Sequence, residues 1–131
     1  EMSRRFRALA AWCALKAYGR AGYRALVERC AANAEEFAAW VAESPGVELL
    51  APAPLNIVCF RYVVAGMPAA DLDDFNRTAV IKLQRDGRAF VTGTVWNGQA
   101  AIRAAFDNWA TTSADVAILQ EAVTDIGANV V

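Results

Sequence analysis

Apolar residues recur at helical spacing almost from the start of the chain. Phe6, Leu9, Trp12 and Leu15 follow one another in steps of three, predicting a helix over residues 3–18. Gly19 and Gly22 punctuate it, and a longer helix continues to about Glu43 with Tyr23, Leu26, Cys30, Ala34, Phe37 and Val41 on one face. Ser44-Pro45-Gly46 is a stop signal. Val47 to Leu50 reads as a short strand. Residues 55–63 read as a longer strand whose two faces are both mostly apolar, the pattern of a central strand covered on both sides. Pro68 opens the next helix, and Asp71, Asp73 and Asp74 in its first turns suit the positive end of the helix dipole. Leu72, Phe75, Ala79 and Leu83 form its apolar stripe, and Asp86-Gly87 ends it.

Asn97-Gly98 is a strong hairpin signal, joining strands Ala89–Trp96 and Gln99–Phe106. A last helix starts near Thr112 or Ser113 and carries Val116, Leu119, Val123, Ile126 and Val130 as its stripe. The order α-α-β-β-α-β-β-α predicts an α+β fold, a mostly antiparallel sheet with helices packed on it. Residues 1–45 then form a helical segment and residues 46–131 a small α+β domain.

The first stripe has no surface to lie on within its own stretch of sequence, so part of the protein is expected to precede residue 1. Composition points the same way. Of 131 residues, 56% are hydrophobic and 21% charged, with a mean hydropathy of +0.23. A small domain with that little charge is expected to bury part of its surface against another domain or subunit. No apolar run approaches the length of a membrane span.

Thirteen basic and fourteen acidic residues give a net charge of −1, which lacks the positive footprint of a nucleic-acid binder. Cys13, Cys30 and Cys59 lie far apart among apolar neighbours, a pattern expected of buried, reduced thiols in a cytoplasmic protein. The absence of histidine removes Ser-His and Cys-His nucleophiles and most zinc chemistry from this chain.

The hairpin fixes a register. With Asn97-Gly98 as a two-residue turn, Trp96 pairs with Gln99 and Thr92 with Arg103. One face then carries Thr92, Thr94, Gln99 and Arg103, and the other Val91, Gly93, Val95, Ala100, Ile102 and Ala104. Arg103 is either a solvated arginine on an open sheet or a guanidinium placed to fork onto a carboxylate. Ser3 is a candidate N-cap, and Arg4 and Arg5 beside it would want an acidic or phosphate partner. Arg61, Trp12, Trp40, Trp96 and Trp109 read as core or interface residues. Asp71, Asp73 and Asp74 are explained by the helix start, and no metal site is assigned to them.

Four stretches carry a family resemblance: Ser3-Arg-Arg-Phe-Arg-Ala-Leu, Tyr18-Gly19, Leu55-Asn-Ile-Val-Cys-Phe-Arg and Gln84-Arg-Asp-Gly-Arg-Ala-Phe. In this order and spacing the chain resembles the C-terminal part of the pyridoxal-phosphate-dependent group II decarboxylases, whose members act on aromatic amino acids, tyrosine, histidine, glutamate and diaminobutyrate. The resemblance implies a fold type I enzyme and a homodimer. It implies pyridoxal 5'-phosphate bound mainly by an upstream large domain, and a small amino acid as substrate. The family's cofactor lysine, stacking histidine and pyridinium-binding aspartate have no counterparts here: Lys16 and Lys82 are the only lysines, and neither follows a histidine. The resemblance therefore implies an inactive isolated segment that contributes substrate orientation and scaffold. It places Arg103, with Thr92 across from it, near the active site, and Ser3 close to the substrate pocket.

Two other readings stand beside this one. The parent could be a decarboxylase-like enzyme with another reaction, such as aldehyde formation or carbon–sulfur cleavage. Alternatively, the chain could be a stand-alone α+β interaction module with an apolar docking face.

Overall fold

A computed structural model describes residues 6–128. Its elements are α1 (Leu9–Glu43), β1 (Val47–Leu49), β2 (Ile57–Tyr62), α2 (Ala69–Asp86), β3 (Thr92–Trp96), β4 (Gln99–Ala105) and α3 (Ser113–Ala128). The four strands form one antiparallel sheet in the order β1-β2-β4-β3. The α+β expectation holds, and so does the break between the two N-terminal helices: Gly19 lies outside helical geometry, at φ 61° and ψ −173°.

The start of α1 differs from the expectation. Within the described residues the helix begins at Leu9, with Ala8 at the cap position and no side chain capping it. Ala offers the free N–H groups nothing, and Arg7 places a positive charge at the positive end of the dipole. Ser3, Arg4 and Arg5, the expected start, lie outside the described residues.

Helices pack on the sheet face made by Val58, Phe60, Tyr62, Ile102 and Ala104. From α1 come Ala34, Phe37, Ala38 and Val41; from α2, Ala79, Val80 and Leu83; from α3, Val116, Leu119, Ala122 and Val123. Phe37 is the hinge of this core, set edge-on to Phe60 (ring centroids 5.4 Å apart) and stacked on Trp40 (5.6 Å). Full burial begins at Cys30, so the second half of α1 belongs to the α/β layer, whereas from Phe6 to Tyr18 every residue but Ala14 is exposed.

β2 is central, between β1 and β4, but it is not covered evenly on both faces. On the face away from the core, Ile57 is exposed and Cys59 half-buried, and only Arg61 is shut in, at 2% exposure. The cysteine expectation also needs correction. Cys30 is buried and Cys59 half-buried, but Cys13 is exposed, because its stretch of α1 packs on nothing described.

Candidate substrate-orienting site

The hairpin has the register expected of its turn: Trp96 opposite Gln99 and Thr92 opposite Arg103. Asn97 and Gly98 both have positive φ (49° and 82°), as a two-residue turn matching strand twist requires. Because β4 also pairs with β2, Cys59 lies on the other side of Arg103. The row Cys59–Arg103–Thr92 thus crosses three strands on the face that carries no core helix.

Within that row, Arg103 Nε donates to Thr92 Oγ1 at 3.3 Å, fixing one edge of the guanidinium. Arg103 is exposed and has no carboxylate partner among the described residues. The outer edge of the fork can therefore receive a planar anion, the geometry arginine offers and lysine does not. Burial pushes the Cys59 thiol up, and the Arg103 charge partly opposes it.

A cavity of about 490 Å³ adjoins the row, bordered by Arg88, Phe90, Asp107 and Asp115 besides Thr92 and Arg103. Its second guanidinium is already engaged. Arg88 donates to both Asp86 oxygens (2.7 and 3.0 Å) and pairs with Asp125 at 2.8 Å, tying the loop after α2 to α3. These partners raise the Arg88 pKa further and lower that of Asp86. Asp115 is also committed, accepting from Thr112 N and Oγ1 (2.8 Å each) as the reciprocal cap of α3. That leaves Arg103 as the available cation of this cavity.

Thr92 and Arg103 are thus brought together, and Ser3 lies outside the described residues. Sequence reasoning missed Cys59 as the third member of the row. The β2–β4 pairing was the signal needed, and no short turn connects those strands. Arg61 is structural as expected: its NH2 group meets Asp73 Oδ1 at 3.3 Å, and Glu48 lies 3.8 Å from Nε. Asp73 Oδ1 also accepts from Ala100 N at 3.0 Å, so this aspartate braces β2 and β4. Of the four tryptophans only Trp40 packs against the core; Trp12, Trp96 and Trp109 are exposed.

Neither lysine offers a Schiff-base site for pyridoxal phosphate in the cavity beside Arg103. Lys16 lies on the exposed part of α1 with its amine over the Trp12 ring, 5.9 Å from the centroid. Lys82 is a half-buried residue of α2, and neither lysine borders the cavity beside Arg103. No groups of three or more histidine, cysteine or acidic side chains among the described residues could hold a metal ion. No described helix is long and apolar enough to cross a membrane.

Residues 1–63 match the model of the pyridoxal-dependent decarboxylase conserved domain. The chain is 31% identical over 117 residues to an aromatic-L-amino-acid decarboxylase of Bacillus atrophaeus, covering 88% of this chain and 24% of that protein. It is also 31% identical to a phenylacetaldehyde synthase of Petunia hybrida, over 78% of this chain and 22% of that one. The Oryza sativa TDC solved with PLP and tryptamine superimposes with a TM-score of 0.85 at 27% identity, over 96% of this chain and 27% of that one. The chain thus spans about a quarter of the length of the relatives it matches. On sequence and fold together, it is similar to one part of the group II pyridoxal-phosphate-dependent decarboxylases and shares the fold of that part.

Proposed function

We propose that this segment is the C-terminal part of a pyridoxal-phosphate-dependent amino acid decarboxylase and that its own contribution is to orient the substrate. The carrying observation is Arg103: a guanidinium anchored at one edge by Thr92, unpaired among the described residues and set on a sheet face with no core helix over it. Such a group suits a carboxylate or another anionic group of a small amino acid. Thr92 is its positioning residue, and Ser3 is proposed to approach the same pocket from the start of the chain.

The cofactor belongs, in this proposal, to an upstream large domain, since neither lysine here has a suitable setting. Residues 1–45 would bridge to that domain and residues 46–131 form the small one, the bridging duty falling on the part of α1 before Cys30. The exposed stripe Phe6, Leu9, Trp12 and Leu15 supports such a bridge, and a homodimer, inferred from the family resemblance, would offer further cover. A second reading, an aldehyde-forming relative of the decarboxylases, is favoured by the similarity to the Petunia hybrida phenylacetaldehyde synthase.

The test is Arg103→Lys in the full-length enzyme, beside Arg61→Lys. A lost charge-assisted contact is worth about 1.5–3 kcal/mol, so kcat/KM of Arg103→Lys should fall by roughly ten- to a hundredfold with little change in thermal unfolding. Arg61→Lys should do the reverse, lowering the unfolding temperature. Unchanged kcat/KM in Arg103→Lys would make this arginine a surface residue and remove the site.

A further inference from the structure

The break in α1 is a built feature. Gly19 has φ 61° and ψ −173°, a region that essentially only glycine occupies. Three residues on, Gly22 closes up against Tyr18: a Cβ at Gly22 would come within 2.8 Å of Tyr18 Cβ. In an unbroken helix residues four apart have Cβ atoms about 5–6 Å apart. Here the turn across the break is folded tighter, and glycine is what lets Tyr18 close in. Around Gly19 itself a Cβ would meet nothing within 4 Å, so backbone angle and not space demands glycine there.

Nothing described holds the arm from below. Phe6, Leu9, Trp12, Leu15 and Tyr18 are all exposed, so contacts with the α/β layer do not set the arm's direction. The angle must come from the break.

We propose that Gly19 and Gly22 form a fixed elbow, which holds the arm of residues 6–18 at a set angle to the rest of α1 and so aims its apolar face. The two glycines have separate duties. Gly19 turns the chain, and Gly22 admits Tyr18 against the next turn and locks the turned state. This differs from a flexible hinge, in which the arm would sample many directions until it was captured. It stands on backbone geometry and does not depend on the proposed function.

The test is a distance measurement between spin labels at Cys13 and at Glu35→Cys, two exposed helix positions flanking the elbow, at a dilution where sedimentation shows a monomer, so that no second copy captures the arm. Cys30→Ala and Cys59→Ser remove the other thiols. An unbroken helix would separate the labelled backbone sites by about 33 Å at 1.5 Å per residue. The expected result is one narrow distribution centred below that value. Gly19→Ala should shift it toward the straight-helix distance, and Gly22→Ala should broaden it, while Gly46→Ala, beyond the end of α1, leaves it unchanged. Thermal unfolding should move little for Gly19→Ala and Gly22→Ala, because the arm is outside the core. A broad distribution in the unmodified elbow would show a free hinge, and no change in Gly19→Ala would show that glycine does not set the angle. Either result overturns the proposal.

Discussion

Asn76 does more for this fold than its polarity suggests. It sits within α2 at 1% exposure, and its side-chain amide satisfies three backbone groups. Oδ1 accepts from Tyr62 N (2.8 Å), and Nδ2 donates to Tyr62 O (3.1 Å) and Leu72 O (2.8 Å). The amide thereby extends β2 sideways onto a helix, where no further strand is available. Asn76→Leu keeps the volume but leaves both Tyr62 backbone groups unpaired in a buried place. Its expected cost is about 2–4 kcal/mol, read from the urea midpoint. A loss near the ~0.5 kcal/mol of an ordinary surface change would contradict this role. The hydrophobic pattern of α2 could reveal Leu72, Phe75, Ala79 and Leu83, because apolar residues at helical spacing have one natural destination. It could not reveal Asn76, whose value depends on a strand end fourteen residues away. Arg103 and Thr92 were legible for the opposite reason: a two-residue turn fixes the register of everything beside it.

Among elements, Tyr62 pins β2 to two helices. Its hydroxyl donates to Val123 O in α3 at 2.8 Å, and its ring meets Phe75 of α2 edge-on, with centroids 5.6 Å apart. Burial pushes this hydroxyl well above its ordinary value near 10. The sign follows directly. Below the unfolded value both states keep the proton and the contact contributes fully. As pH rises past it, the unfolded chain releases a proton that the folded chain retains, so stability falls. Urea unfolding between roughly pH 8 and 11 should show this alkaline loss. In Tyr62→Phe it should be smaller, set against a loss of about 1 kcal/mol at neutral pH for the missing hydrogen bond. Equal slopes in both proteins would mean that Tyr62 ionises freely. Element boundaries were otherwise readable from punctuation: Ser44-Pro45-Gly46, Pro68, Asp86-Gly87 and Asn97-Gly98 all fall at or beside element ends. The start of α1 was not, because Leu9 and its neighbours continue a pattern that begins earlier than the helix does.

For the whole molecule, exposed surface is the telling quantity. The chain exposes 8686 Å², whereas a compact monomer of 14.1 kDa is expected to expose about 6700 Å². Part of the excess is the arm, with Phe6, Trp12 and Tyr18 each more than half exposed, and part is the reverse face of the sheet around Ile57 and Cys59. Taken alone, the 131-residue chain should therefore self-associate in sedimentation and bind an apolar dye, and serine at Phe6, Leu9, Trp12 and Leu15 should reduce both. A clean monomer without dye binding would count against a missing partner domain. The excess of apolar residues was visible in the composition; which face carried it was not, since that depends on the strand order β1-β2-β4-β3.

Carbon dioxide release by the full-length enzyme bears most directly on the proposed function. With pyridoxal phosphate supplied, an L-amino acid should lose its α-carboxylate as carbon dioxide, and the rate should collapse when the cofactor is stripped and return when it is restored. Absence of cofactor-dependent carbon dioxide release across aromatic and acidic L-amino acids, from a folded enzyme with pyridoxal phosphate bound, would contradict a decarboxylase and the role given to Arg103.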